Sequence, residues 1–161
     1  ALRQSDVGQT VVLAGWVNNY RDHGGVTFID LRDREGITQV VFHPEHQAAH
    51  ELASRLRHED VVEIEGVVVP REKGMANPKL ATGEIEVRAA RCELLNKAET
   101  PPFTPDMGDK TGEETRLKWR FIDLRRPRMQ HILRTRHRVM QLMRSYLDTH
   151  GFTEIETPFL C

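Results

Sequence analysis

Hydrophobic positions recur with a spacing of two over most of the first hundred residues. Residues 10–20, TVVLAGWVNNY, are rich in β-branched side chains and end in polar ones, which predicts a strand. His23-Gly24-Gly25 is a turn signal. Residues 26–32 then alternate, with Ile29 and Leu31 on one face and Phe28, Asp30 and Arg32 on the other. Asp33-Arg34-Glu35-Gly36 predicts a second turn, and residues 37–42 a third strand. After Pro44 the period changes. Ala49, Leu52, Ala53 and Leu56 form a helical stripe, which predicts a helix from Pro44 through Arg57. Residues 61–69 read as a fourth strand. A loop with Gly74, Asn77 and Pro78 follows, and residues 84–95 read as a fifth strand.

Three strands, a helix and two strands is the order of the mainly β, five-stranded Greek-key oligonucleotide-binding (OB-fold) barrel, whose helix lies between strands three and four. Other small barrels share that order. The pattern then changes again. Pro101, Pro102, Pro105, Gly108 and Gly112 mark a linker within 96–115. Arg116, Lys118 and Arg120 alternate with Leu117, Trp119 and Phe121, which suits a structured segment better than a disordered arm. A long helix is predicted over 129–149, with Ile132, Val139, Leu142, Met143, Tyr146 and Leu147 as its apolar stripe and His150-Gly151 as its stop. Residues 152–160 then predict the start of another strand. The expected organisation is a barrel over 1–100, a hinge over 101–128, and the opening of a further domain over 129–161.

Composition narrows the function without choosing it. The 161 residues are 39% hydrophobic and 29% charged, yet the formal net charge is −1, so any case for a nucleic-acid partner must be local. Residues 116–138 supply one such place, with nine Lys/Arg against the single acid Asp123; a chain of this kind can track a phosphate backbone or simply form a solvated helix face. Cys92 and Cys161 form no C-x-x-C pair, which speaks against a zinc ribbon or a disulfide scaffold and suits a reducing, cytoplasmic setting. No apolar run is long enough for a membrane span and no secretory signal opens the sequence. Beginning without Met and stopping at Cys161, the chain reads as part of something longer.

Candidate chemistry clusters in the barrel. Phe28 is a large aromatic on a polar strand face, where it can stack on an unpaired base; the competing reading is ordinary core. Arg21 before the second strand, Gln39 in the third and Glu86 in the fifth add groups that can clamp phosphate or guanine, pair both ways, or accept from a base amino group; the competing reading is a solvated sheet face. His43, His46 and His50, with His58 nearby, raise the question of a metal, but no Cys or carboxylate set completes a tetrahedral site, and none is expected. No Ser/His/Asp arrangement, P-loop or dinucleotide fingerprint occurs, and Glu63/Glu65 and Glu84/Glu86 alternate as solvent-facing strand residues do.

The run from Arg21 to Gln39, R-D-H-G-G-V-T-F-I-D-L-R-D-R-E-G-I-T-Q, closely resembles the anticodon-binding domain of bacterial-type aspartyl-tRNA synthetases. Asn77-Pro78 with Ala81-Thr82-Gly83-Glu84-Ile85-Glu86-Val87 resembles that family's entry to the fifth strand. Arg120-Phe121-Ile122-Asp123-Leu124-Arg125-Arg126-Pro127 resembles its junction with the catalytic domain, and Gly151-Phe152-Thr153-Glu154-Ile155-Glu156-Thr157-Pro158 resembles class II synthetase motif 1. Four motifs in the family's order cover the whole chain. The resemblance implies that Phe28 stacks on an anticodon base, that Arg21, Gln39 and Glu86 read or position bases, that Arg71 holds the backbone, and that Pro158 belongs to a motif 1 homodimer interface. It implies a cytoplasmic parent enzyme that attaches aspartate to tRNA(Asp) with ATP and Mg2+. The residues for that chemistry belong to motifs 2 and 3, absent from this sequence, so the chain itself is expected to bind tRNA without catalysing and to hold no cofactor. His23 at the turn and Gly74 resemble the pattern of members that also charge tRNA(Asn). Asn19 and Tyr20 replace a run of arginines seen in many members, and Val69 an arginine seen in some; fewer cations imply weaker binding with a weaker salt dependence.

Two other readings share these features. A synthetase for asparagine or lysine has the same barrel and motif 1, although the R-D-x-G spacing and D-L-R-R-P favour aspartate. A free-standing single-strand-binding barrel has no need of the motif 1 segment.

Overall fold

Five strands close into a barrel in the order β1-β2-β3-β5-β4. They are β1 (Thr10–His23), β2 (Val26–Arg32), β3 (Ile37–Phe42), β4 (Val61–Pro70) and β5 (Ile85–Asn96), with helix α1 (Gln47–Ala53) between β3 and β4. This computed structural model describes residues 2–72 and 74–158, with only the backbone at 108 and 109. The chain divides into two units between Pro101 and Pro102. The alternation read from the sequence is the alternation of burial. Thr27, Ile29 and Leu31 point inward while Val26, Phe28, Asp30 and Arg32 stay partly exposed. Val17, Val40, Phe42, Val62, Ile64, Val68, Ile85 and Val87 complete the interior. Ala49, Ala53 and Leu56 join it, and α1 packs on β5.

Several boundaries move, each for a local reason. β1 runs on to His23 because residues 16–23 pair with β2 while residues 10–16 pair with β4, a bend made possible by a bulge at Asn18. Gly24 and Gly25, both at positive φ, close the β1–β2 hairpin as a two-residue turn, with the Asp22 carboxylate accepting from Gly25 N–H at 3.3 Å. The helix predicted over 44–57 is shorter, Gln47–Ala53: His46 N–H bonds back to His43 C=O and Ser54 closes the far end, so both flanks are turns. Two glycines permit contacts that no side chain allows. A Cβ on Gly66 would lie 2.4 Å from the Arg88 carbonyl oxygen, and one on Gly83 would lie 1.8 Å from that of Asn77. The second explains the Asn77-Pro78…Gly83 spacing, since Asn77 N–H bonds to Gly83 C=O and closes the loop before β5.

The second unit is helical where it is described: a 3₁₀ segment (Pro105–Lys110), α2 (Glu113–Lys118), α3 (Arg120–Asp123) and α4 (Pro127–Thr149). The alternating segment 116–121 is therefore structured, as helix. α4 begins at Pro127, two residues before the predicted start, because N–H groups of the first helical turn have no intrahelical acceptor and proline, which lacks an N–H, costs nothing there. Asp123 is fully buried, paired with Arg120 and with Arg126 at 2.8 Å. The predicted strand over 152–160 is not formed over residues 152–158, because a strand needs a hydrogen-bonded neighbour and none lies beside it among the described residues; residues 159 and 160 fall outside them. Among the described residues, no helix is long and apolar enough to cross a membrane.

Candidate nucleic-acid interface

Strand register assembles the polar groups. Asp30 on β2 lies opposite Gln39 on β3, and Arg21 on β1 lies opposite Phe28 on β2. The parallel pairing of β3 with β5, Val40 with Val87, sets Gln39 beside Glu86. The result is a continuous array. Arg21 Nη2 donates to Asp30 Oδ1 at 3.0 Å and to Gln39 Oε1 at 3.3 Å, and Gln39 Nε2 donates to Glu86 Oε2 at 2.9 Å. Phe28 shares the outward face of β2 with Asp30 and stands half-buried, its ring edge-on to His23 at a centroid distance of 6.3 Å and 68°. Exposed His23 owes that position to the two-glycine turn that follows it.

Arg71 enters from the segment after β4. Its backbone N–H bonds to Glu84 C=O and its Nε donates to Ile85 C=O at 3.1 Å, while its buried Nη2 has no hydrogen-bond partner among the described residues. Burial pushes its guanidinium down from the usual arginine value; Glu86 and Asp30 pull it up and Arg21 pushes it down further. Two guanidinium groups and two carboxylates thus surround one amide, so the cluster as a whole is close to neutral. Gly74 sits in the following loop at φ +87°, a backbone shape that side chains resist.

Other predicted groups lie elsewhere. Arg32 shares the face of Phe28 in sequence but is engaged by Glu59 at 2.7 Å, by Asn18 Oδ1 at 2.7 Å and by the Trp16 ring, where it locks the β1 bulge. His58 Nδ1 donates to the Asn18 carbonyl at 2.8 Å. Among the described residues, no three His, Cys, Asp or Glu side chains group as a metal site. The basic stretch is not a uniform cationic strip, since Arg120 and Arg126 are spent on Asp123, and Arg116 Nε donates to Thr111 C=O. Pro158 is exposed. Asp30 was legible as a member of the Phe28 face but not as the partner of Arg21. The signal for it was an acid on the strand adjoining an arginine, visible only once the β1–β2 register is known.

A family model described as an OB-fold nucleic acid binding domain matches residues 11–95, and one described as tRNA synthetases class II (D, K and N) matches residues 112–161. An aspartate--tRNA(Asp/Asn) ligase of Gloeobacter violaceus is 53% identical over 160 residues, 99% of this chain and 27% of the relative. One from Halothermothrix orenii is 53% identical over 155 residues, 96% of this chain and 26% of the relative. The chain thus spans about a quarter of the length of the curated relatives it matches. Among solved structures, a putative aspartyl-tRNA synthetase from Leishmania major Friedlin superimposes with a TM-score of 0.87 at 26% identity, over 97% of this chain and 33% of that one. Asparaginyl-tRNA synthetase from Pyrococcus horikoshii gives 0.83 at 28% identity, over 98% of this chain and 36% of that one. With a closed barrel of OB order, a polar and aromatic array on its outer face, and a family match over more than half its length, the chain belongs to the OB-fold nucleic acid binding domains, here joined to the opening segment of a class II tRNA synthetase region.

Proposed function

We propose that this chain is the anticodon-reading part of an aspartate--tRNA ligase that accepts both tRNA(Asp) and tRNA(Asn). The observation that carries the reading is the Arg21–Gln39–Glu86 array beside the half-exposed Phe28, on the outer face of an OB-fold barrel. An unpaired base stacked on the Phe28 ring lies within reach of a guanidinium, an amide and a carboxylate, which together can pair with any base edge. The partly buried Arg71 guanidinium beside the array adds a cation that suits holding the RNA backbone. His23 beside that ring offers a donor or an acceptor according to tautomer. It therefore suits a third anticodon base that is either cytosine or uracil. Gly74 keeps the neighbouring loop free of a side chain.

In this reading residues 1–100 are the anticodon domain, 101–128 a hinge, and 129–161 the start of a catalytic domain whose motif 1 contributes Pro158 to a homodimer. The parent enzyme works in the cytoplasm, and its ATP and Mg2+ are held by residues beyond motif 1. The test is a titration of the purified chain with an aspartate-type anticodon stem-loop RNA. Saturable binding is expected, with loss of affinity when the three anticodon bases are replaced on the same stem. Equal affinity for both hairpins would leave a non-specific single-strand binder. Because Asp30 and Glu86 balance the two arginines, a shallow salt dependence is expected.

A further inference from the structure

We infer that Asp30 is a positioning residue that fixes which way the Gln39 amide faces, and so sets what the array can read without touching the ligand. The inference rests on the anticodon reading above. Gln39 is 8% exposed, and the two ends of its amide are nearly equal in shape, so packing alone does not choose between its orientations. Charge does. With Oε1 toward Arg21 and Nε2 toward Glu86 both contacts are attractive; a flipped amide would set its NH2 against a cation and its oxygen against a carboxylate.

Glu86 is placed by β5, but Arg21 has a long side chain, 45% exposed, near the end of β1. Asp30 anchors it. This carboxylate is short, 17% exposed and mid-strand in β2, opposite Asn19 on β1 and Gln39 on β3. Arg21 Nη2 carries two hydrogens, one for Asp30 Oδ1 and one for Gln39 Oε1. Removing the Asp30 charge releases the guanidinium and takes away one of the two contacts that select the amide's orientation, leaving the Glu86 contact alone to hold it. A larger share of flipped amide exchanges donor and acceptor at the base edge, which is a loss of discrimination and not only of affinity.

The experiment compares the full chain with Asp30→Asn, Arg21→Ala and the double variant. Each is titrated with the aspartate-type hairpin and with three hairpins carrying one replaced anticodon base. In the ligand-free proteins, the Gln39 side-chain amide is followed by ¹⁵N NMR. For D30N, binding to the aspartate-type hairpin should weaken about tenfold, the scale of a lost charge-assisted hydrogen bond, and discrimination against at least one replaced base should narrow. The double variant should bind no worse than Arg21→Ala alone, because Asp30 acts through Arg21. The Gln39 side-chain signals should move in D30N with the backbone spectrum and melting temperature nearly unchanged, and Asp30→Glu should restore them in part. Additive losses, an unmoved Gln39 signal, or a D30N chain that no longer folds while Asp30→Glu folds with normal discrimination lost, would each overturn the inference. A wild-type chain that binds no hairpin would sink the anticodon reading instead, and the Gln39 signal would still decide the positioning.

Discussion

Phe28 and Thr27 are neighbours on β2 with opposite surroundings, and replacing each should have an opposite effect. Phe28 is half-buried on the outer face, so Phe28→Ala should weaken hairpin binding by roughly 1–3 kcal/mol while the melting temperature changes little. A collapse in stability would make the ring a structural residue. Thr27 is fully buried, and its hydroxyl has no hydrogen-bond partner among the described residues. Valine keeps the shape and removes the orphaned group, so Thr27→Val should raise stability by about 1 kcal/mol in denaturant melts. Cys92 illustrates a third outcome of burial. Desolvation pushes its thiol up to about 11, leaving little thiolate at pH 8. Its alkylation, followed by mass spectrometry of the Cys92 peptide, should run about tenfold slower than that of a small free thiol, because the scarcer thiolate is partly offset by its greater nucleophilicity.

At the scale of elements, the loop from Arg71 to Glu84 is where backbone geometry governs the site. It delivers Arg71 to the array and closes through the Asn77–Gly83 bond. Gly83→Ala forces a Cβ into the Asn77 carbonyl, backbone against backbone, and relief requires the loop to open. Gly74→Ala meets open space and costs only its left-handed φ, about 1–2 kcal/mol. Thermal melts of the two variants should therefore rank Gly83→Ala as the more damaging, and the same order should hold for hairpin affinity. The reverse order would mean that the loop is held by something other than this closure. β1 shows the same dependence on pairing. Its bulge at Asn18 is fixed by Arg32 and His58, side chains from β2 and from the segment before β4.

For the whole molecule, two measurements separate reading from chemistry. The chain should show no ATP–pyrophosphate exchange above background, since the sequence carries no motif 2 or 3; exchange in a purified sample would refute this. Two hairpins that differ only by cytosine or uracil at the third anticodon base should bind within about 1.4 kcal/mol of each other, a factor of ten. A stronger preference for cytosine would show that His23 does not supply relaxed reading, and His23→Leu should create such a preference if it does.

Local order was legible in the sequence because period-two burial, glycine turns and proline starts are short-range effects. β2 and β3 have the predicted ends, and Phe28 stands on the predicted face. The four motifs, taken together in order, also carried the family resemblance. What the sequence could not settle was set by neighbours distant along the chain. The strand predicted after Gly151 is not formed over residues 152–158, because pairing is a property of two segments. Arg32 keeps the face its alternation gave it but is taken up there by Glu59, twenty-seven residues away, and so is not a free cation beside Phe28. Gln39, Asp30 and Arg21 became one array only through strand register, since which hydrogen bonds a polar side chain makes depends on what the fold sets across from it.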